Sequence, residues 1–238
     1  MGSAVDLQRG LLSAAFCVAM LGYRGREPAR FAIALLLGVG FAHVGWAALH
    51  AGRVLADPLA FVDPTRGFSV LFVPLGPCAL GLASREPEVR RRFVASALRA
   101  LPLALACARI GCLVAGCCGG SSFEFGGSGM RLRHPTALYE SIGLVALHVW
   151  IVGARSERVF GRFALGFGLI RLIVEPVRES APLGPPGIPV AWIAGLWSLL
   201  GLASIARARG IASLTRARDR RRPAAVCRSR RPSRLFLP

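Results

Sequence analysis

Seven apolar stretches divide the chain into membrane-sized pieces, running roughly Gly10–Gly22, Phe31–Leu49, Phe68–Ala83, Phe93–Leu113, Ala137–Val152, Phe163–Val174 and Ile188–Ile205. A helix that crosses a bilayer needs about 20 predominantly apolar residues, with a working range of about 17–25. The second, fourth and seventh stretches reach that length unaided. The others recruit flanking residues or run short. The first is the weakest, because extending it takes in Arg9, Gln8 and Asp6. It lacks the basic start and clear small-residue cleavage site of a removed signal peptide. Apolar residues make up 54% of the 238 positions, and mean hydropathy is +0.53. That is more than the single core of a soluble domain this size accommodates. The predicted fold class is all-α: a polytopic membrane bundle of about seven transmembrane helices.

Charge predicts how such a bundle sits. The formal net charge is +18, and every one of the 30 cations is Arg. A soluble nucleic-acid binder would spread them among polar residues on one face. Here they collect between apolar stretches, which argues against a nucleic-acid partner. Arg24, Arg26 and Arg30 follow the first stretch, Arg85, Arg90, Arg91 and Arg92 the third, and Arg155, Arg158 and Arg162 the fifth. Eleven more lie between Arg207 and Arg234. The opposite side has only Arg9, Arg53, Arg66, Arg131, Arg133 and Arg178. Cytoplasmic loops carry the excess of basic residues, so the N-terminus is expected outside and the C-terminus in the cytoplasm. Residues 1–206 form the predicted membrane domain. Residues 207–238 read as a disordered Arg-rich tail drawn to anionic membrane lipids.

Arg99, Arg109 and Arg171 fall within or at the ends of apolar stretches. An Arg at the centre of a span costs about 2.5–3.5 kcal/mol on the insertion scale, so it usually faces a partner or a cavity. Arg99 is near a span end and can snorkel, a structural role. Arg171, Glu175 and Arg178 share one helical stripe. Two readings stand for them: a buried Arg171–Glu175 pair that locks helices together, or an anion-binding site.

The helix-breaking signals cluster after the fourth stretch. Gly119–Gly120–Ser121–Ser122 and Gly126–Gly127–Ser128–Gly129 predict a flexible loop, followed by Arg131, Arg133 and His134–Pro135–Thr136. Pro135 suits the start of a helix, with Tyr139 and Glu140 one turn later. Taken alone, Tyr139 reads as a membrane-interface aromatic and His134 as a cap or surface residue. Of the seven cysteines, Cys112, Cys117 and Cys118 gather at the outer end of the fourth stretch. Their spacing contains no C-x-x-C, and no second Cys/His cluster completes a metal site. They read as small packing residues, as disulfide or reactive thiols beside Arg109, or, least simply, as metal ligands.

Three segments carry a family resemblance. Arg109-Ile110-Gly111-Cys112-Leu113-Val114-Ala115-Gly116, closed by Gly120, resembles the signature helix of bacterial prolipoprotein diacylglyceryl transferases. Arg133-His134-Pro135-Thr136-Ala137-Leu138-Tyr139-Glu140 is similar to that family's loop-to-helix motif. Gly168-Leu169-Ile170-Arg171-Leu172-Ile173-Val174-Glu175 with Arg178 looks like its late helix. Weaker echoes occur at Leu37-Gly38 and Ala56-Asp57-Pro58-Leu59, so the likeness covers roughly residues 30–205. The resemblance implies a seven-span enzyme of the bacterial cytoplasmic membrane. Its reaction moves a diacylglyceryl group from phosphatidylglycerol to the lipobox cysteine thiol of a prolipoprotein, carried by its signal peptide. It implies no metal and no organic cofactor. Arg109 and Arg171 would hold the lipid phosphate and stabilise its growing charge. Glu175 would orient Arg171, and Gly111, Gly116 and Gly120 would let backbone approach the lipid. His134, Tyr139 and Glu140 would shape the outer mouth.

The chain also departs from that pattern. Cys112 stands where the family usually has Asn, Cys117 where it has Glu, and Phe167 where it has Tyr. Thiols hydrogen-bond poorly in place of an amide or an acid. The family's His-Gly-Gly element, expected to supply a base for the thiol, corresponds to Arg66–Phe72, which contains no His. His43 and His50 lie on another stretch. Two function classes follow: the transferase or a relative moving a lipid-derived group, and a non-catalytic membrane protein binding anionic phospholipid through Arg109 and Arg171.

Overall fold

A computed structural model describes residues 2–62, 67–116, 119–124, 131–178 and 189–220. Among the described residues every regular element but one hairpin is a helix. In order come α1 (Gly2–Gly22), α2 (Pro28–Leu49), the short α3 (Ala51–Ala56) and α4 (Leu59–Val62), then α5 (Leu75–Leu82) and α6 (Pro87–Val114). A two-stranded hairpin, β1 (Ser122–Glu124) and β2 (Arg131–Arg133), precedes α7 (Thr136–Val152), α8 (Ser156–Val174) and α9 (Val190–Arg220). Among the described residues, three regions are long and apolar enough to cross a membrane: Pro28–Leu49, Pro87–Val114 and Val190–Gly210. They coincide with the stretches that the sequence marks as sufficient by themselves.

Two expectations are corrected. Phe68–Ala83 does not form one helix: a 3₁₀ turn at Val70–Phe72 leads into the eight-residue α5. Pro74 precedes that helix and Pro77 lies in its first turn, where a missing N–H costs nothing, so helix cannot propagate back through them. At 1.5 Å per residue α5 rises only about 12 Å. Disorder from residue 207 is the second. α9 continues to Arg220, because Ala and Arg alternating along 206–209 are strong helix formers. Residues 221–238 lie outside the described residues.

Small residues mark the places where helix backbones come closest. On α2, Ala34, Gly38, Ala42 and Gly45 are buried while Ile33, Leu36, Leu37 and Val44 are exposed. Such a face lets backbones approach where lipid removes the hydrophobic drive between helices. A Cβ on Gly38 would lie 2.7 Å from the Val73 carbonyl oxygen. The same device joins α8 to α9, where a Cβ on Gly168 would meet Ser198 Oγ at 2.4 Å and the Ala194 carbonyl oxygen at 2.5 Å. Gly168→Leu is expected to force those helices apart and cost about 1–3 kcal/mol, read as a lower unfolding temperature in detergent. Phe31, Leu98, Leu101, Leu144, Val159, Phe163 and Phe167 fill the core. Trp197 on α9 donates its indole N–H to the Leu71 carbonyl at 3.1 Å, tying the 3₁₀ turn to the bundle.

Candidate active site

α6, α7 and α8 each bring one charged side chain to a common point inside the bundle. Glu140, the single acidic residue of α7, is 2% exposed; Arg109 of α6 and Arg171 of α8 are each 6% exposed. Glu140 Oε2 lies 2.5 Å from Arg109 Nε. Its Oε1 accepts from Arg171 Nη1 and, at 3.0 Å, from Arg178 Nη1. Arg171 Nη2 also donates to Glu175 Oε2 at 3.1 Å. Burying these charges separately would be prohibitive, so they are stable only as a mutually paired group. Arg171 Nε is buried without a hydrogen-bond partner among the described residues, which leaves one inward donor on a guanidinium already oriented by two carboxylates.

The backbone around the cluster is stitched together by the segments that follow α6 and α8. Gly120 N–H donates to the His134 carbonyl at 2.8 Å, Ser121 N–H to Val177 at 2.9 Å, and Gly120 forms a bridge with Arg178. A Cβ on Gly120 would sit 2.4 Å from the Val177 carbonyl oxygen and 2.6 Å from His134 Cβ. Gly120→Ala is therefore expected to displace Arg178 and destabilise the protein by about 1–3 kcal/mol, measured as reduced thermal stability. Gly116, at φ +65°, ends the α6 region in the left-handed conformation that terminates helices. Gly111 is buried in the last turn of α6, where its carbonyl accepts from Ala115 N–H. Ser141 Oγ donates to the Ala106 carbonyl at 3.2 Å, holding α7 against α6 beside Glu140.

His134 and Tyr139 meet beside the hairpin at the start of α7. Tyr139 is exposed, its hydroxyl is 3.4 Å from His134 Nδ1, and the His134 ring packs on Phe123 of β1 with centroids 4.5 Å apart. The expected flexible loop is thus an antiparallel hairpin where it is described, with Ser122 opposite Arg133. Its tip, residues 125–130, lies outside the described residues, as do Cys117 and Cys118. Cys112 is half-buried, one turn beyond Arg109. Among the described residues no group of His, Cys, Asp or Glu is placed to hold a metal ion.

Residues 90–207 match the family model for prolipoprotein diacylglyceryl transferase. Over that range the chain belongs to this transferase family. A search of curated proteins found no match. The matched range contains all three motif segments, while the echoes near Leu37 and Ala56 precede it. The matched region therefore contains Arg109 on α6, Arg171 on α8 and the carboxylate they share, Glu140, on α7.

Three residues sit differently from what the sequence implied. Glu140 is no mouth residue; it is the buried hub that three arginines grip. Its burial could have been inferred, because a lone acid on an apolar helix is the natural counter-ion for lone arginines on two others. Arg178, which charge counting assigned to a loop, joins the same hub. Phe167, in place of the family's Tyr, stacks on Phe163 and meets Trp197 edge-on in the apolar core, with centroids 5.3 and 6.1 Å away. The stretch lacking a His has one beside it: His43 Nδ1 of α2 lies 3.2 Å from the Gly67 carbonyl oxygen, and Nε2 lies 2.8 Å from that of Phe61. His50 turns back to the Trp46 carbonyl of its own helix at 2.9 Å. Arg99 is structural, donating to the Ala154 carbonyl at the α7–α8 turn at 2.7 Å.

Proposed function

We propose that this protein transfers a diacylglyceryl group from phosphatidylglycerol to the lipobox cysteine of a prolipoprotein, in a bacterial cytoplasmic membrane. The convergence of Arg109 and Arg171 on buried Glu140 carries the reading. In the reaction the cysteine sulfur forms a thioether bond to the glyceryl carbon. The bond from that carbon to the phosphate oxygen breaks, glycerol phosphate leaves, and the thiol gives up its proton. The phosphodiester starts with one negative charge and gains a second as the bond breaks. Guanidiniums oriented in advance in a water-poor site stabilise that gain more than they stabilise the starting lipid, which is the requirement for catalysis. Arg109 and Arg171 are the catalytic residues in this scheme. Glu140 and Glu175 position them, Gly111, Gly116 and Gly120 shape the backbone at the lipid, and His134 and Tyr139 line the approach. Cys112, Cys117 and Cys118 stand near enough in sequence for a thiol role beside Arg109. The Arg distribution supports seven spans, an outer N-terminus and a cytoplasmic C-terminus.

The absence of a His from Arg66–Phe72 favours a second reading, a membrane protein that binds anionic phospholipid without transfer. One experiment separates the two. Purified protein, phosphatidylglycerol and a lipobox peptide are incubated and the peptide is weighed by mass spectrometry. Transfer adds one diacylglyceryl unit to the cysteine. An unchanged peptide, together with lipid binding that is lost in Arg109→Ala and Arg171→Ala, rejects transfer in favour of binding.

A further inference from the structure

A second basic site lies at the opposite end of the same helices. α5, α6, α8 and α9 border an open cavity of about 790 Å³ there. Arg155, on its rim, precedes Arg171 by sixteen residues along α8, about 24 Å at 1.5 Å per residue. The cavity is thus separate from the Glu140 cluster.

Its lining carries four arginines, Arg90, Arg91, Arg155 and Arg207, against one carboxylate, Glu157. Arg90 of α6, Arg155 before α8 and Arg207 of α9 all border it, and none is engaged by a carboxylate among the described residues. Arg91 also borders it but is balanced by Glu88 and Glu157 at 3.8 and 3.7 Å. Three unbalanced guanidiniums brought to one concave space repel each other, and an anion between them removes that repulsion. Leu82, Val94 and Phe160 form an apolar wall beside the same arginines. A wholly polar anion would leave that wall facing water, whereas an amphiphile covers it. The volume lies in the range of built small-molecule sites, about 300–1,000 Å³. The site is also at the ends of long apolar helices, the depth at which lipid head groups lie.

We propose that this cavity binds an anionic phospholipid, with its phosphate among Arg90, Arg155 and Arg207 and its upper acyl chains against Leu82, Val94 and Phe160. The proposal does not depend on the transfer reaction. Native mass spectrometry of the full chain in detergent tests it, with dioleoyl phosphatidylglycerol as the probe and dioleoyl phosphatidylcholine as the uncharged comparison. The Arg90→Gln/Arg155→Gln/Arg207→Gln protein is expected to carry one tightly bound phosphatidylglycerol fewer than wild type, with that site weakened roughly a hundredfold. This difference of one is the same whether or not the Glu140 cluster binds a lipid. Ala208→Trp, which keeps every arginine and places an indole in the cavity beside Arg207, is expected to weaken binding of the same lipid, and it covers the case in which the triple variant misfolds. Unchanged lipid counts in either folded variant would overturn the proposal. So would equal binding of phosphatidylcholine. Displacement of the lipid by an equal concentration of inorganic phosphate or glycerol 3-phosphate would reassign the cavity to a free phosphate.

Discussion

Arg171→Gln is expected to slow diacylglyceryl transfer by about 10²–10³-fold with a comparatively small loss of stability. The asymmetry follows from the cluster. Glu140 retains Arg109 and Arg178 when Arg171 is removed, so its buried carboxylate remains paired. The lost groups are an oriented guanidinium and its inward Nε–H donor. If that guanidinium acts on charge that grows in the transition state, kcat falls more than KM rises. Arg171→Lys sharpens the test, because it retains the charge and loses the planar fork that bridges Glu140 and Glu175. Its rate should fall between those of wild type and Arg171→Gln. The readout is the rate of mass gain on a lipobox peptide at varied phosphatidylglycerol. A Gln variant that transfers at the wild-type rate would remove Arg171 from the chemistry.

Glu140→Gln is expected to have the opposite profile, with a destabilisation of about 3–5 kcal/mol. This change removes the carboxylate that three guanidiniums share and leaves them close together in a place 2% exposed. An amide offers one acceptor oxygen and two donors, and the donors face other donors. Thermal unfolding in detergent reads the loss directly. A double-mutant cycle with Arg171→Gln should be strongly non-additive, with a coupling of about 0.5–3 kcal/mol, since removing one guanidinium relieves part of the repulsion that the amide creates. Additive effects would mean that Glu140 and Arg171 do not act as a unit.

The two variants together separate a site that binds phosphate from one that only fastens helices. The sequence allowed both accounts of Arg171 and Glu175, and the ion pairs of the structure are compatible with either. Arg171 does pair with Glu175, yet the stronger organising partner is Glu140 on a different helix. Structural fastening and orientation of a guanidinium are here the same set of contacts. A cluster that only fastened helices would leave transfer unchanged in Arg171→Gln, provided the protein remained folded.

The order of apolar stretches and cations was enough to specify a helical membrane protein and to mark Arg109 and Arg171 as its unusual residues. Those are local properties: a stretch of about 20 apolar residues has few alternatives to a helix in lipid, and an Arg inside one is conspicuous wherever it occurs. Local pattern also misled where proline intervened, since Phe68–Ala83 is apolar enough for a span but is divided by Pro74 and Pro77. Its length in residues overstated its length in space. Sequence could nominate Glu140 as a counter-ion, being a lone acid on an apolar helix, but spacing alone does not say which arginines it would meet. Packing α7 between the cations of α6 and α8 selected Arg109 and Arg171, and folding Val177 back onto Gly120 and Ser121 brought Arg178 to the same carboxylate. The pairing of charges from separate helices depends on which faces meet. Spacing along one chain can state the need for a partner, and only the packed bundle supplies it.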